Sequence, residues 1–217
     1  MSGGLRVWGL VVALGSSMAG CASARPAVVD FSDTAKHYRS DDYQVVHDAW
    51  TRHAKLVQDV GTVMEIWATF KSVDFRQAYV AKYAKSYDLS DADREALAKS
   101  QQDAARGVYE IQLISQSTTD KWNDLDRRNS PWRITLLDGT GAELSPAPIK
   151  VEKFPEIYET EFFPNRTAFS RTFTLRFVRP DGGSDAFIGP DSGRLILRLD
   201  SPMGRVEAVW EAREVGH

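Results

Sequence analysis

After Gly107 the chain alternates apolar and polar residues in short runs divided by turns, and this pattern restricts it to a β-rich fold. Tyr109, Ile111 and Leu113 alternate with Glu110 and Gln112, and Trp132, Ile134 and Leu136 with Arg133 and Thr135. Phe173, Leu175 and Phe177 alternate with Thr174 and Arg176, and Leu195, Leu197 and Leu199 with Ile196 and Arg198. Val206, Ala208 and Trp210 alternate with Glu207 and Val209. Successive side chains on a strand point to opposite faces, so each run offers one apolar face for burial. The separators Asp138-Gly139-Thr140-Gly141, Pro180-Asp181-Gly182-Gly183 and Ser201-Pro202-Met203-Gly204 carry the residues that tight turns require.

Upstream, a short helix is expected over Tyr43 to Ala49, behind the acidic pair Asp41-Asp42. Residues 50–58 fit a strand or a helix on local pattern alone. Met64, Ile66, Ala68 and Phe70 alternate with Glu65, Trp67, Thr69 and Lys71, and a turn at Asp59-Val60-Gly61 precedes them, so a hairpin of 50–58 with 62–72 is preferred. Phe75, Tyr79, Tyr83 and Tyr87 recur every fourth residue, which places them on one face of a helix opening at Asp74. Ser90-Asp91-Ala92-Asp93 resembles a capping box, and a second helix should run to Arg106 and stop at Gly107, with a narrow apolar stripe that keeps it at the surface. The predicted fold class is mainly β: an antiparallel β-sandwich of immunoglobulin-like kind, about eight or nine strands, with two helices inserted near 74–106.

Ahead of this domain, Arg6, the apolar run Val7 to Leu14 and the small residues to Gly20 have the layout of a secretory signal peptide. The run is far below the ~20 residues of a membrane-spanning helix. Met18-Ala19-Gly20-Cys21 resembles the lipobox of bacterial lipoproteins, departing from the pattern only at Met18, where Leu is usual. The resemblance implies cleavage before Cys21 and acylation of its thiol with palmitate-type chains. It also implies, since Ala22 and Ser23 rather than Asp follow, an outer-membrane destination in the cell envelope. The competing expectation is ordinary cleavage at Ala22-Ser23-Ala24, giving a soluble secreted product. The expected organisation is a signal peptide over 1–20, a lipidated tether over 21–32, and a single domain over 33–217. Beyond the lipobox, the body of the chain resembles uncharacterised envelope lipoproteins, which implies no mechanism.

Cys21 is the single cysteine among the 217 residues, so no internal disulfide can form and a packed core must supply stability. The net charge of −3 is spread without a basic stripe, which argues against a nucleic-acid partner. His37, His47 and His53 lack metal-ligand spacing and read as surface residues, and no nucleophile motif occurs. Glu152, Glu156, Glu159 and Glu161 could in principle supply a glycosidase pair, and Asp181, Asp185 and Asp191 oxygen ligands for Ca²⁺, though their spacing matches no EF-hand loop. Solvated carboxylates are the simpler reading of both. Two aromatic groups remain. Phe75, Tyr79, Tyr83 and Tyr87 could form a lid over an apolar pocket, and Phe162-Phe163, followed by Pro164, could leave one phenylalanine exposed for partner contact. No catalytic residue, cofactor or metal is indicated. The sequence thus favours a non-enzymatic, membrane-anchored lipoprotein that binds another envelope protein or a cell-wall component. A ligand-binding module with residues 75–87 as its lid stands second and a cell-wall-directed hydrolase third.

Overall fold

The alternating runs pair into two five-stranded sheets that share one hydrophobic core. The computed structural model describes residues 28–212 apart from 33, 35, 60, 154–157, 159–160, 181–186 and 189–192. Among these, the elements are β1 (Val28–Val29), α1 (Tyr43–Trp50), β2 (Thr51–Gln58), β3 (Gly61–Phe70), α2 (Val73–Ser86), α3 (Asp91–Ala105), β4 (Val108–Gln116), β5 (Arg133–Leu137), β6 (Glu143–Leu144), β7 (Lys150–Glu152), β8 (Arg171–Val178), β9 (Arg194–Ser201) and β10 (Gly204–Ala212). One sheet has the order β2-β3-β4-β8-β7 and the other β1-β10-β9-β5-β6. The β1–β10 pair is parallel and the remaining pairs are antiparallel.

Register explains the core. Ala68 of β3 lies opposite Leu113 of β4, which lies opposite Phe173 of β8, so the apolar residues of three strands line one face. Ile134 and Leu136 of β5 meet Leu199 and Leu197 of β9, whose other neighbours are Val206 and Ala208 of β10. Where the sheets approach at β2 and β10, side chains reach across to backbone. Trp210 donates its indole N–H to the Trp50 carbonyl at 2.8 Å, and Arg52 donates to the carbonyls of Val209 and Ala49 at 2.7 Å each. Burial pushes the Arg52 guanidinium down to about 10. The carbonyls around it satisfy donors that would otherwise be costly to bury.

The expected hairpin, the two inserted helices and the five alternating strands after Gly107 all form. Three differences follow from length and context. Among the described residues there are ten strands rather than eight or nine, because β1, β6 and β7, of two or three residues each, are too short to show a period. A further helix, α1, joins the two that connect β3 to β4. The expected tether ends sooner than residue 32: Val28–Val29 pair with Glu211–Ala212, and Val29 and Phe31 are buried. Residues 21–27 lie outside the described residues, as does the signal-peptide segment.

The central strand β4 departs most from its pattern. Glu110 and Gln112, which alternation assigns to solvent, are buried, together with Thr174 of β8 and Thr69 of β3, both opposite Gln112, and Thr172 opposite Ile114. This sheet is therefore covered on both faces. Neither side-chain atom of Gln112, nor the Thr172 hydroxyl, has a hydrogen-bond partner among the described residues. By contrast α3 buries none of its residues, as its narrow stripe foretold.

Truncating Leu175, fully buried in β8, to Ala should cost about 2–5 kcal/mol. Leu97→Ala on α3 should cost under about 1 kcal/mol. Urea unfolding of the two variants measures the contrast, and equal losses would show that α3 packs into the core.

Candidate functional site

The β3–α2 junction sets up both faces of a helix. Ser72 caps α2 by accepting the Phe75 N–H at 3.0 Å, and Asp74 stands in the first turn, where the helix dipole favours negative charge. From this start, Phe75, Tyr79 and Tyr83 point one way, while Val73, Arg76, Gln77, Val80 and Ala81 line a groove on the other side.

That groove, of about 1050 Å³, lies between α2, α3 and residues 36–38. Lys36 is fixed at its edge: its backbone N–H donates to the Gln77 carboxamide at 2.8 Å, and its ammonium bridges Asp74 at 2.8 Å and Asp30 at 3.2 Å. Arg76 crosses the floor, donating to the Lys71 carbonyl at 3.1 Å and to Gln101 of α3 at 2.9 Å. Lys36, Arg76, Arg94, Lys99, Arg106 and Arg179 line the space, against Asp91 and Glu95. Arg94 pairs with Asp91 at 3.9 Å, and Asp103 takes both Lys99 at 2.6 Å and Arg106 at 3.2 Å.

Beneath the floor lies a charge cluster that is buried at Glu110 and Arg76 and open to solvent at Arg176. Glu110, 6% exposed, accepts from Lys71 at 2.6 Å and from Arg176 at 3.3 Å, with Arg76 at 3.8 Å. Burial alone would raise the Glu110 carboxyl, but the positive charge of Lys71 and its hydrogen bond, with Arg76 and Arg176, hold it below the ordinary carboxylate range. Burial lowers Lys71 and Arg76 in turn, and Glu110 opposes that shift in both. One carboxylate thus serves three cations. Arg179 sits close by, its guanidinium 4.4 Å from the Tyr109 ring centroid and its Nε buried without an acceptor among the described residues.

The opposite face of α2 is aromatic and filled. Phe162 contacts Tyr43, Tyr79, Tyr83 and Tyr158, and its carbonyl accepts the Tyr43 hydroxyl at 2.8 Å. Tyr79 and Tyr158 join through their hydroxyls at 2.9 Å. The expectation of an exposed phenylalanine at 162–163 does not hold, because both side chains are buried in this cluster. Phe75, Tyr79 and Tyr83 do share a face, but it packs on Phe162, and the groove lies behind it; Tyr87, at the helix end, is exposed and stacks on Tyr83. His47 is buried rather than at the surface, held between Tyr43, Phe75 and Phe163. Glu161 pairs with Lys82, and Glu152 lies on β7. Glu156, Glu159, Asp181, Asp185, Asp191 and Cys21 lie outside the described residues. Among the described residues no cluster of His, Cys, Asp and Glu is arranged to hold a metal, and no helix is long and apolar enough to cross a membrane.

No family model matches the chain, and no curated protein does. Among solved structures it is similar to a novel protein of unknown function from Burkholderia pseudomallei, at 12% identity, 82% of this chain and 92% of that one covered, and a TM-score of 0.40.

Two outcomes follow from the buried groups. Glu110→Gln leaves three cations without their counter-charge and should cost about 3–5 kcal/mol in urea unfolding; a loss under about 1 kcal/mol would show that the cluster relaxes into water. Burial lowers the His47 imidazole, with Asp48 opposing. A folded pKa below the unfolded value gives stability that is present above about pH 6.5 and lost as pH falls toward the folded pKa, with a slope of up to about 1.4 kcal/mol per pH unit. In His47→Gln that slope should be missing from stability curves over the same interval.

Proposed function

We propose that this protein is a lipid-anchored, non-enzymatic component of the bacterial cell envelope, held at the outer membrane through Cys21 and binding another envelope component. The observation that carries the reading is how little chain separates the anchor from the fold. Residues 22–27 alone lie between Cys21 and β1, a span of at most about 20 Å when extended. A domain on so short a leash works beside the membrane. Two or three acyl chains hold a protein firmly where one holds it marginally.

The domain itself is best read as an immunoglobulin-like sandwich. The order β7-β8-β4-β3 in one sheet against β6-β5-β9-β10 in the other supports this, since it follows the D-E-B-A and C′-C-F-G orders of that fold, with β1 and β2 as additions. Such frameworks present binding surfaces on their connections, and here the longest insertion, α2–α3, carries the groove. The groove favours a second reading, a ligand-binding module, although its site lies on the face of α2 away from the aromatic stripe.

The anchor is tested by growing cells with a radiolabelled fatty acid. The wild-type chain should take up label and mature to begin at Cys21, and Cys21→Ser should do neither. An unlabelled wild-type product starting after Ala24 would sink the reading.

A further inference from the structure

The groove between α2 and α3 has the chemistry of an anion site, and its place in the fold says which anion. Six basic side chains line it; Lys36, Arg76, Arg94, Lys99 and Arg106 each have a carboxylate partner, and Arg179 has none among the described residues. Among them, Arg179 is stacked on Tyr109 with a buried Nε that has no acceptor among the described residues. A buried donor without an acceptor is uncommon in folded proteins. A guanidinium offers a fork of N–H groups suited to phosphate or carboxylate. Below it, Glu110 is shared by three cations and leaves the local charge positive.

The groove also has apolar walls in Val73, Val80, Ala81 and Ala98. Helix α3, which forms one side, buries no residue of its own. A helix without a packed face gains little stability from its surroundings. Filling the groove would supply the packing that α3 lacks. A ligand with a phosphate and an adjoining apolar part meets both requirements.

Position narrows the choice further. Lys36 at the groove edge is in contact with Asp30, the residue that follows β1. The groove therefore opens beside the point where the chain enters the domain from its N-terminus. We propose that it receives the phosphate headgroup of an anionic phospholipid in the membrane to which the protein is anchored. Arg106 and Arg179, brought together where the Arg179 backbone N–H donates to the Gly107 carbonyl, contact the phosphate, and Arg94 faces the anionic surface from the other end of α3. This rests on the reading of residues 1–21 as a membrane-directing segment. It makes the second attachment one of recognition, added to the covalent one.

The test uses the full chain reconstituted into vesicles of phosphatidylcholine alone or with phosphatidylglycerol. Coupling the thiol of Cys21, the single cysteine, to a maleimide lipid holds the chain on both kinds of vesicle without cellular acylation, so only the headgroup differs. Hydrogen exchange in 91–106 and 36–38 should slow severalfold with phosphatidylglycerol. Arg94→Glu with Arg106→Glu should abolish the slowing, because each basic residue near an anionic surface contributes roughly a fivefold factor. Arg133→Glu with Arg205→Glu, an equal charge change on strands of the other sheet, should leave it intact. Arg179→Gln should weaken it without altering exchange in phosphatidylcholine. Equal exchange on the two vesicles, or equal loss in both double variants, overturns the proposal. Slowing by dissolved glycerol 3-phosphate on phosphatidylcholine, with none from phosphatidylglycerol, overturns the membrane source. Failure of Cys21 to take up fatty acid would be seen separately, in the labelling experiment, and leaves this comparison readable.

Discussion

The Glu110 carboxylate holds together parts of the chain that apolar packing does not. It lies on the central strand of its sheet and receives Lys71 from the end of β3, Arg76 from α2 and Arg176 from β8. Arg76 then carries the link to Gln101 on α3. The long insertion between two adjacent strands is thereby joined to the sheet by charge and hydrogen bonds. Buried ion pairs are weak sources of net stability, because taking each charge from water costs several kcal/mol, but removing one partner is severe. Their physical return is in fixing geometry. A guanidinium that meets a carboxylate, a carbonyl and a carboxamide at once can occupy few positions, and α2 is set accordingly.

That placement gives α2 two unlike tasks. Its aromatic face joins the core with α1, Tyr158, Phe162 and Phe163, where Tyr43 donates to the Phe162 carbonyl and Tyr79 meets the Tyr158 hydroxyl. Burial raises both phenols well above their ordinary range, so they remain neutral, which suits hydroxyls that face aromatic rings. Its other face stays open as the wall of the groove. A helix braced by aromatics on one side can present cations on the other, and α3 lies against it through Arg76 and Gln101 without burying a residue of its own.

Strands that bury one face were legible because period-two alternation is what one-sided burial writes into a sequence. The β10 run, which buries Val206, Ala208 and Trp210, is of that kind, and Ser90 and Gly107 marked the two ends of α3. The same rule misplaced Glu110 and Gln112, since alternation says which residues share a face and not whether that face stays wet. The groove was illegible for a related reason. Arg76, Arg94, Arg106 and Arg179 are far apart in sequence, and each alone resembles an ordinary solvated charge. Only the register that sets Arg176 opposite Glu110, with the turn that brings Lys71 alongside, collects them. Phe162 and Phe163 misled in the opposite direction. Two adjacent phenylalanines cannot both face inward from a flat strand, but they can from the helical turn that the chain makes there.

The short strand β1 has consequences beyond its two residues. Read as tether, residues 22–32 would let the domain swing through roughly 35 Å. Pairing Val28 and Val29 to the end of β10, and burying Phe31 against Trp50 and Phe70, takes up the second half of that length. The domain can then no longer present an arbitrary side to whatever holds its N-terminus. Lys36, held by Asp30 and Asp74, is fixed relative to the entry point, and through Gln77 so is α2. An anchor at Cys21 would thus constrain orientation as well as distance, with the cation-lined groove on the side of the domain where its chain begins.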